Sequence, residues 1–148
     1  MELIFLWMRK KCGYAHYGYL LFIAAFGIYI DSFGDIFFLY SRYTWYDQAA
    51  HFLGGVSAGI IIFKIIKALN DCRKISLSYF SMAFFSLMSA GFAGMTYEIE
   101  EYLEDFYTGS HRLGNGFDTA NDMMLCILGA LTIIIIMSIY LKYKRRKI

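Results

Sequence analysis

Carboxylate and imidazole side chains recur in pairs at helical spacing in three separate parts of the sequence. The pairs, three or four residues apart, are Asp47 and His51, Glu98 and Glu101, and Asp118 and Asp122. Such spacings place both members of a pair on one helix face. Oxygen-rich ligand sets bind Mg, Ca or Mn, and a histidine also admits Zn. The pattern therefore predicts that these six residues bind a divalent metal of unknown identity, with His51, Glu98 and Glu101 as acid–base groups.

The stretch from Tyr97 to Asp122 carries seven acidic residues between two apolar runs. Residues 75–95 and 123–140, on either side of it, contain no Asp, Glu, Lys or Arg. Apolar runs of about 18 residues or more are typical of membrane-spanning helices. Ionisable groups near the ends of such helices are costly unless they have a function. Because like charges and burial both raise the pKa of carboxyl groups, a divalent cation would stabilise the cluster.

The composition is that of a polytopic membrane protein. Of 148 residues, 59% are hydrophobic, and the charges are clustered between long apolar windows. We expect an all-α membrane protein, a four-helix transmembrane up-down bundle in a single domain covering residues 1–148. The predicted spans are about 17–40, 46–69, 77–104 and 118–142, and it stays open whether the first ends before or after Asp31 and Asp35. We expect membrane lipids and no nucleic acid as partners, and leave a homo-oligomer open.

Basic residues predict the orientation of the four spans. They cluster before the first span, between the second and third, and in the tail, namely Arg9, Lys10, Lys11, Lys64, Lys67, Arg73, Lys74, Lys142, Lys144, Arg145, Arg146 and Lys147. An even number of spans places these clusters on one side, so both termini are expected in the cytoplasm. Ten of the twelve acidic residues then lie on the opposite side. The predicted location is therefore the cell membrane, multi-pass, with the site on the extracytoplasmic side.

Small residues accompany each predicted pair on nearly the same helix face. They are Gly55 and Gly59, then Ser86, Ala90 and Gly94, and finally Cys126 and Ala130. Small residues let membrane helices approach closely. The three pairs are therefore expected to point into the bundle and towards one another.

Simpler roles exist for several of these residues. Glu100, Glu104 and Asp105 fit a solvated helix end. Asp118 and Asp47 could each be the N-cap of its helix. Arg112 could pair with the acids and neutralise part of the cluster without a metal. The three cysteines have no paired or metal-ligand spacing, so we expect free thiols.

Three motifs carry a resemblance to a known family. They are YDQAAHFLGG (residues 46–55), YEIEEY (97–102) and GFDTANDMMLCILGA (116–130). This order resembles the YjdF-like (DUF2238) family of bacterial inner-membrane proteins of unknown function. The residues that match its pattern are Asp47, His51, Phe52, Tyr97, Glu98, Glu101, Asp118, Asp122 and Gly129. A looser similarity is to VanZ-like proteins of the cell envelope. This chain has Glu101 at the position where that family usually has Gln, and Asp122 where it usually has Asn.

Two functions fit these residues, and whether the protein is an enzyme stays open. The first is a metal-dependent hydrolase or transferase that acts on an envelope lipid or lipid-linked substrate from the outer side. The alternative is a non-catalytic binding, transport-accessory or resistance protein that uses the acidic site for a cation or cationic ligand. A pocket open sideways to the bilayer would favour the first function.

Overall fold

The computed structural model describes residues 6, 10 and 18–145, which form helices joined by short turns. The five helices with assigned bounds are α1 (Gly18–Ile36), α2 (Leu39–Arg42), α3 (Tyr46–Asp71), α4 (Tyr79–Thr108) and α5 (Gly116–Arg145). The predicted all-helical class is therefore confirmed. Arg9, Lys11, Cys12, Tyr17, Arg146 and Lys147, on which some of the predictions fall, lie outside the described residues.

Within the described part of the chain, three helices are long and apolar enough to cross a membrane. They are Gly18–Ile36, Tyr46–Asp71 and Gly116–Tyr143. Helix α4 is 30 residues long but is not among them. Its apolar half is interrupted by hydroxyl residues, including Ser86 and Thr96, and its second half carries the acidic cluster.

Helix α1 continues past Asp31 and Asp35 and ends at Ile36, which settles the question that the sequence left open. The chain then turns through Phe38, which has a left-handed backbone, before α2 begins. The Tyr46 hydroxyl donates to the carbonyl oxygen of Ile30 at 2.7 Å and ties α1 to the start of α3.

The helix caps rule out the simpler role considered for Asp118. The side chain of Asn115 accepts hydrogen bonds from the backbone N–H groups of Phe117 and Asp118, at 2.9 and 3.2 Å. Asn115 therefore caps α5, and Asp118 lies in the first turn. Asp47 likewise lies inside the first turn of α3, whose N-terminal residue makes no side-chain cap. Both carboxylates are therefore available for other contacts.

Small residues bring α3, α4 and α5 together beside the acidic pairs. A Cβ atom added to Gly55 would overlap the backbone carbonyl of Cys126, and one added to Gly129 would overlap that of Phe52. A Cβ on Gly94 would lie 2.8 Å from Cβ of Cys126. Such approaches are open only to glycine. The predicted close contact of the small-residue faces is confirmed at Gly55, Gly94 and Cys126.

The cysteines differ from the expectation of free thiols. Cys126 is free and buried, but Cys72, in the turn after α3, is disulfide-bonded. The spacing argument was therefore wrong for Cys72, because cysteines that are distant in the sequence can still form a disulfide in the fold.

Candidate functional site

His51 lies at the centre of the predicted cluster, one turn inside α3, and only 5% of its surface is exposed. Its Nε2 atom is 3.3 Å from Oδ1 of Asp47, on the same helix. Its Nδ1 atom is 3.5 Å from Oε1 of Glu98 on α4. The ring also meets the edge of Tyr97 at a centroid distance of 5.6 Å. The imidazole is therefore flanked by carboxylates from two helices.

Three carboxylate oxygens beside His51 are buried without a hydrogen-bond partner in the described residues. They are both oxygens of Glu98 and Oδ1 of Asp122. Glu98 and Asp122 are only 4% and 3% exposed. The 3.5 Å contact between His51 and Glu98 is an ion-pair distance but lies beyond the usual hydrogen-bond range. Unsatisfied buried carboxylates are rare because burying a charge costs on the order of several kcal/mol. These oxygens are therefore available to bind a positively charged partner.

The geometry suits a cation as that partner. Two groups, Asp47–His51–Asp122 and His51–Glu98–Glu101, each offer ligand atoms that lie within 4.8 Å of one another. Metal–ligand bonds of about 2.0–2.6 Å place ligands about 3–5 Å apart around one ion. Because His51 belongs to both groups, the five residues form one continuous set of donors, four carboxylates and one imidazole. This composition fits Mg, Mn, Ca or Zn.

Asp118 is the one predicted ligand that falls outside both groups. Its side chain is half-buried and lies against Gly114 in the loop that precedes α5. Asp118 is therefore placed at the entrance of the cluster, one turn outward from Asp122.

Arg112 forms a second layer of contacts outside the cluster. From the loop between α4 and α5, its guanidinium contacts Asp31 at 2.7 Å, Asp35 at 3.2 Å, and Glu101 and Glu104 each at 3.4 Å. Arginine is permanently charged and has five donors, so it can serve several carboxylates at once. The alternative pairing of Arg112 with acids is thus seen in the structure, but it reaches only Glu101 of the five residues around His51.

Asp31 anchors this second layer from α1. Its Oδ1 accepts hydrogen bonds from the hydroxyls of Tyr40 and Tyr97, at 2.9 and 2.7 Å, and from Arg112. Neither Tyr40 nor Asp31 is among the site residues predicted from the sequence. The sequence does carry a signal for Asp31 and Arg112, because Asp31 interrupts an otherwise apolar helix and Arg112 is one of only two basic residues predicted on that side.

Asp105 holds the loop that carries Arg112. Its carboxylate accepts hydrogen bonds from the hydroxyl of Ser110 at 2.6 Å and from the backbone N–H groups of Arg112 and Leu113, at 2.7 and 3.0 Å. These bonds, that from Ser110 first, lower the pKa of Asp105 below its ordinary value. Asp105 therefore shapes the loop rather than only solvating a helix end. Glu100, in contrast, is exposed, as predicted.

Two cavities meet at this constellation. The outer cavity, of about 480 Å³, is polar, and its walls include Asp35, Asp47, Glu101, Arg112 and Asp118. The inner cavity, of about 340 Å³, is mostly apolar and reaches His51, Asp31, Tyr40 and Tyr97 at its polar end. Tyr40 lines both. The cluster around His51 therefore lies where a polar entrance meets an apolar space between the helices.

Comparison with known proteins gives one family. The family model described as "Predicted membrane protein (DUF2238)" matches residues 2–143. No curated protein matches the chain, and no solved structure does. The looser VanZ-like similarity therefore stays a prediction.

Proposed function

The chain belongs to the DUF2238 family of predicted membrane proteins, and we propose that it binds a divalent metal at the cluster around His51 and uses it as a hydrolase or transferase on an envelope lipid or lipid-linked substrate. The observation that carries this proposal is the burial of three unpartnered carboxylate oxygens on Glu98 and Asp122, beside His51. Divalent cations held by the two groups would satisfy these oxygens, since Glu98 belongs to one group and Asp122 to the other, whereas hydrogen bonds within the described residues leave them unsatisfied.

The chain's own residues supply the ligands and the orientation. Asp47, His51, Glu98 and Asp122 come from three helices whose close packing is fixed by glycines. Glu101 connects the cluster to Arg112, at 3.4 Å from the guanidinium. It is placed to accept a proton from a water or hydroxyl while Arg112 holds the carboxylate in position. When bound, the metal would polarise a phosphoryl or carbonyl oxygen of the substrate.

Arg112 also gives the site affinity for an anionic head group. It faces the outer cavity together with Asp35 and Asp118, and a guanidinium recognises phosphate in a bidentate manner. A substrate phosphate would compete with the carboxylates for this guanidinium. The outer cavity would thus receive the polar part of the substrate and bring its reactive group towards His51.

We further propose four spans with both termini in the cytoplasm, which places the site on the extracytoplasmic side. Helix α4 would be the span that its hydroxyl residues make less apolar, since it packs against both α3 and α5. Described basic residues such as Lys64, Lys67 and Arg73 lie at the end of the bundle opposite to Arg112, as the positive-inside rule requires.

The proposal is tested by the metal content of the purified protein. The wild type should carry a divalent metal, and Glu98→Gln, which keeps the shape of the side chain but removes its charge, should not. A protein that carries metal but leaves every envelope lipid unchanged would favour the non-catalytic alternative.

A further inference from the structure

The inner cavity has the shape and polarity of a slot for one hydrocarbon chain. Apart from Ser57, its polar lining groups are Asp31, Tyr40, His51 and Tyr97, which lie at the end beside the cluster. The remaining walls are glycine, alanine, isoleucine and Cys126. A ligand that fills this space must therefore be apolar along its length and polar at the end that reaches His51.

The depth of the cavity matches one leaflet of a membrane. Along α3 its lining runs from Ala50 to Ile61, eleven residue steps, which at 1.5 Å per residue is about 16 Å. The hydrocarbon core of a bilayer is about 30 Å thick, so one leaflet is about 15 Å. A chain that lies in the cavity would thus extend as deep as its neighbours in the surrounding leaflet.

The cavity lies between α1 and α4, two helices that make little contact with each other. Helix α1 packs chiefly on α3, and Ile28, which lines the cavity from α1, is 66% exposed. Lipid tails are as apolar as leucine side chains. Moving a hydrocarbon chain from the leaflet into the space between these helices therefore costs little free energy.

Gly54 keeps the inner cavity open, whereas the neighbouring glycine allows two helices to come into close contact. A Cβ atom added to Gly54 would meet nothing within 4 Å, although Gly54 lines the cavity. A Cβ atom added to the neighbouring Gly55 would instead overlap the backbone of Cys126. A large side chain at Gly54 would fill the slot without first displacing the backbone of another helix.

We infer that the inner cavity binds one hydrocarbon chain of a membrane amphiphile, which enters between α1 and α4 and places its head group at the polar end of the cavity, beside His51 and Asp31. The position of the head group rests on the proposed function, whereas the binding of the chain does not. The substrate class is thereby narrowed to amphiphiles whose reactive group lies directly at the end of a hydrocarbon chain.

The test uses the full-length protein in vesicles of phosphatidylethanolamine and phosphatidylglycerol, with palmitic acid that carries a mid-chain diazirine as the probe. After illumination, peptide mapping should show labelling of the cavity wall at residues 24–28 and 90–94. Gly54→Phe should lower that labelling at least fivefold. Gly18→Phe, at a glycine that also has open space but lies outside the cavity, should leave it unchanged. Labelling at the exposed Phe80 provides the internal reference.

Equal labelling of the cavity wall in the two variants, or wild-type labelling there no higher than at Phe80, would overturn the inference. If Gly54→Phe does not fold, Gly27→Phe blocks the same cavity from α1. Metal content measured on the same preparations separates the two proposals. If the protein contains metal but the cavity wall is not labelled, only the proposal that the inner cavity binds a hydrocarbon chain is contradicted. If the cavity wall is labelled but the protein contains no metal, only the proposed metal site is contradicted.

Discussion

Nδ1 of His51 lies 3.5 Å from Oε1 of Glu98, yet neither oxygen of that carboxylate has a hydrogen-bond partner among the described residues. Both side chains are almost fully buried, on different helices. An imidazole and a carboxylate this close would normally shorten their contact into a hydrogen bond. The 3.5 Å distance between these two atoms is within the range that separates two ligand atoms bound to the same ion.

Loss of Arg112 should destabilise the outer end of the bundle. Arg112→Gln would leave Asp31, Asp35 and Glu101 close together without a counter-charge. We expect a loss of about 1–3 kcal/mol in unfolding free energy, below the value for a fully buried pair because the group is partly exposed. Thermal unfolding of the purified protein measures it. Arg42→Gln, at an exposed arginine, is the control, with a change within about 0.5 kcal/mol. Equal effects of the two substitutions would contradict the role of Arg112.

Two adjacent glycines should respond in opposite directions to alanine. Gly55→Ala should destabilise the protein by about 1–3 kcal/mol, because its Cβ would overlap the backbone of Cys126. Gly54→Ala meets open space and should stabilise α3 by up to about 1 kcal/mol. Thermal unfolding of both variants under one condition gives the comparison. A stable Gly55→Ala variant would show that α3 and α5 do not pack as described.

The loop that carries Arg112 should loosen in acid. Because bonds from Ser110 and two backbone N–H groups lower the pKa of Asp105 in the folded state, its contribution is present above its unfolded pKa, about 3.9. That contribution is lost as the pH falls through the lower, folded value. A spin label at the exposed His111 should remain ordered from pH 7 to about 4 and become mobile below.

Asp105→Asn should make the same label mobile already at pH 7, since the amide accepts fewer hydrogen bonds. Glu100→Gln, at an exposed carboxylate, is the matched control and should behave like the wild type. If both variants keep the label ordered at pH 7, Asp105 does not hold the loop.

Cysteine labelling decides the orientation. A membrane-impermeant maleimide applied to intact cells should label His111→Cys, whereas Ser76→Cys, in the turn between α3 and α4, should react only after lysis. Both parent residues are exposed. The disulfide at Cys72 argues for the reverse orientation, because disulfides are rare in the reducing cytosol. Labelling of Ser76→Cys alone in intact cells would therefore place the cluster around His51 on the cytoplasmic side.

The cluster around His51 could be predicted from the sequence because its members occur as pairs within single helices. Spacings of three and four fix the shared face, and the glycines beside them indicate which face is inward. The contact between Asp31 and Arg112 could not be predicted. It joins residues 81 apart and depends on a loop whose course is set by Asp105.

The end of α1 also depends on contacts between distant residues, which the sequence alone does not reveal. Asp31 and Asp35 leave open in the sequence whether the first helix ends before or after them, since charged residues are costly inside an apolar helix. Tyr40, Tyr97 and Arg112 satisfy Asp31 in the fold, so the helix continues. Asp118 was predicted as an inward ligand because it lies about one turn from Asp122. Four residues are slightly more than one helical turn, so the side chain of Asp118 is rotated around the helix relative to that of Asp122, and it lies at the entrance of the cluster.

The central claim is that the buried carboxylates around His51 hold a divalent metal. The most direct measurement is elemental analysis of protein purified without chelators, for the wild type, Glu98→Gln, Asp122→Asn and the exposed control Glu100→Gln. We predict at least one divalent metal per chain in the wild type and in Glu100→Gln, and at least a tenfold lower content in the other two variants. A folded wild-type protein without metal, or an unchanged metal content in Glu98→Gln and Asp122→Asn, would contradict the claim.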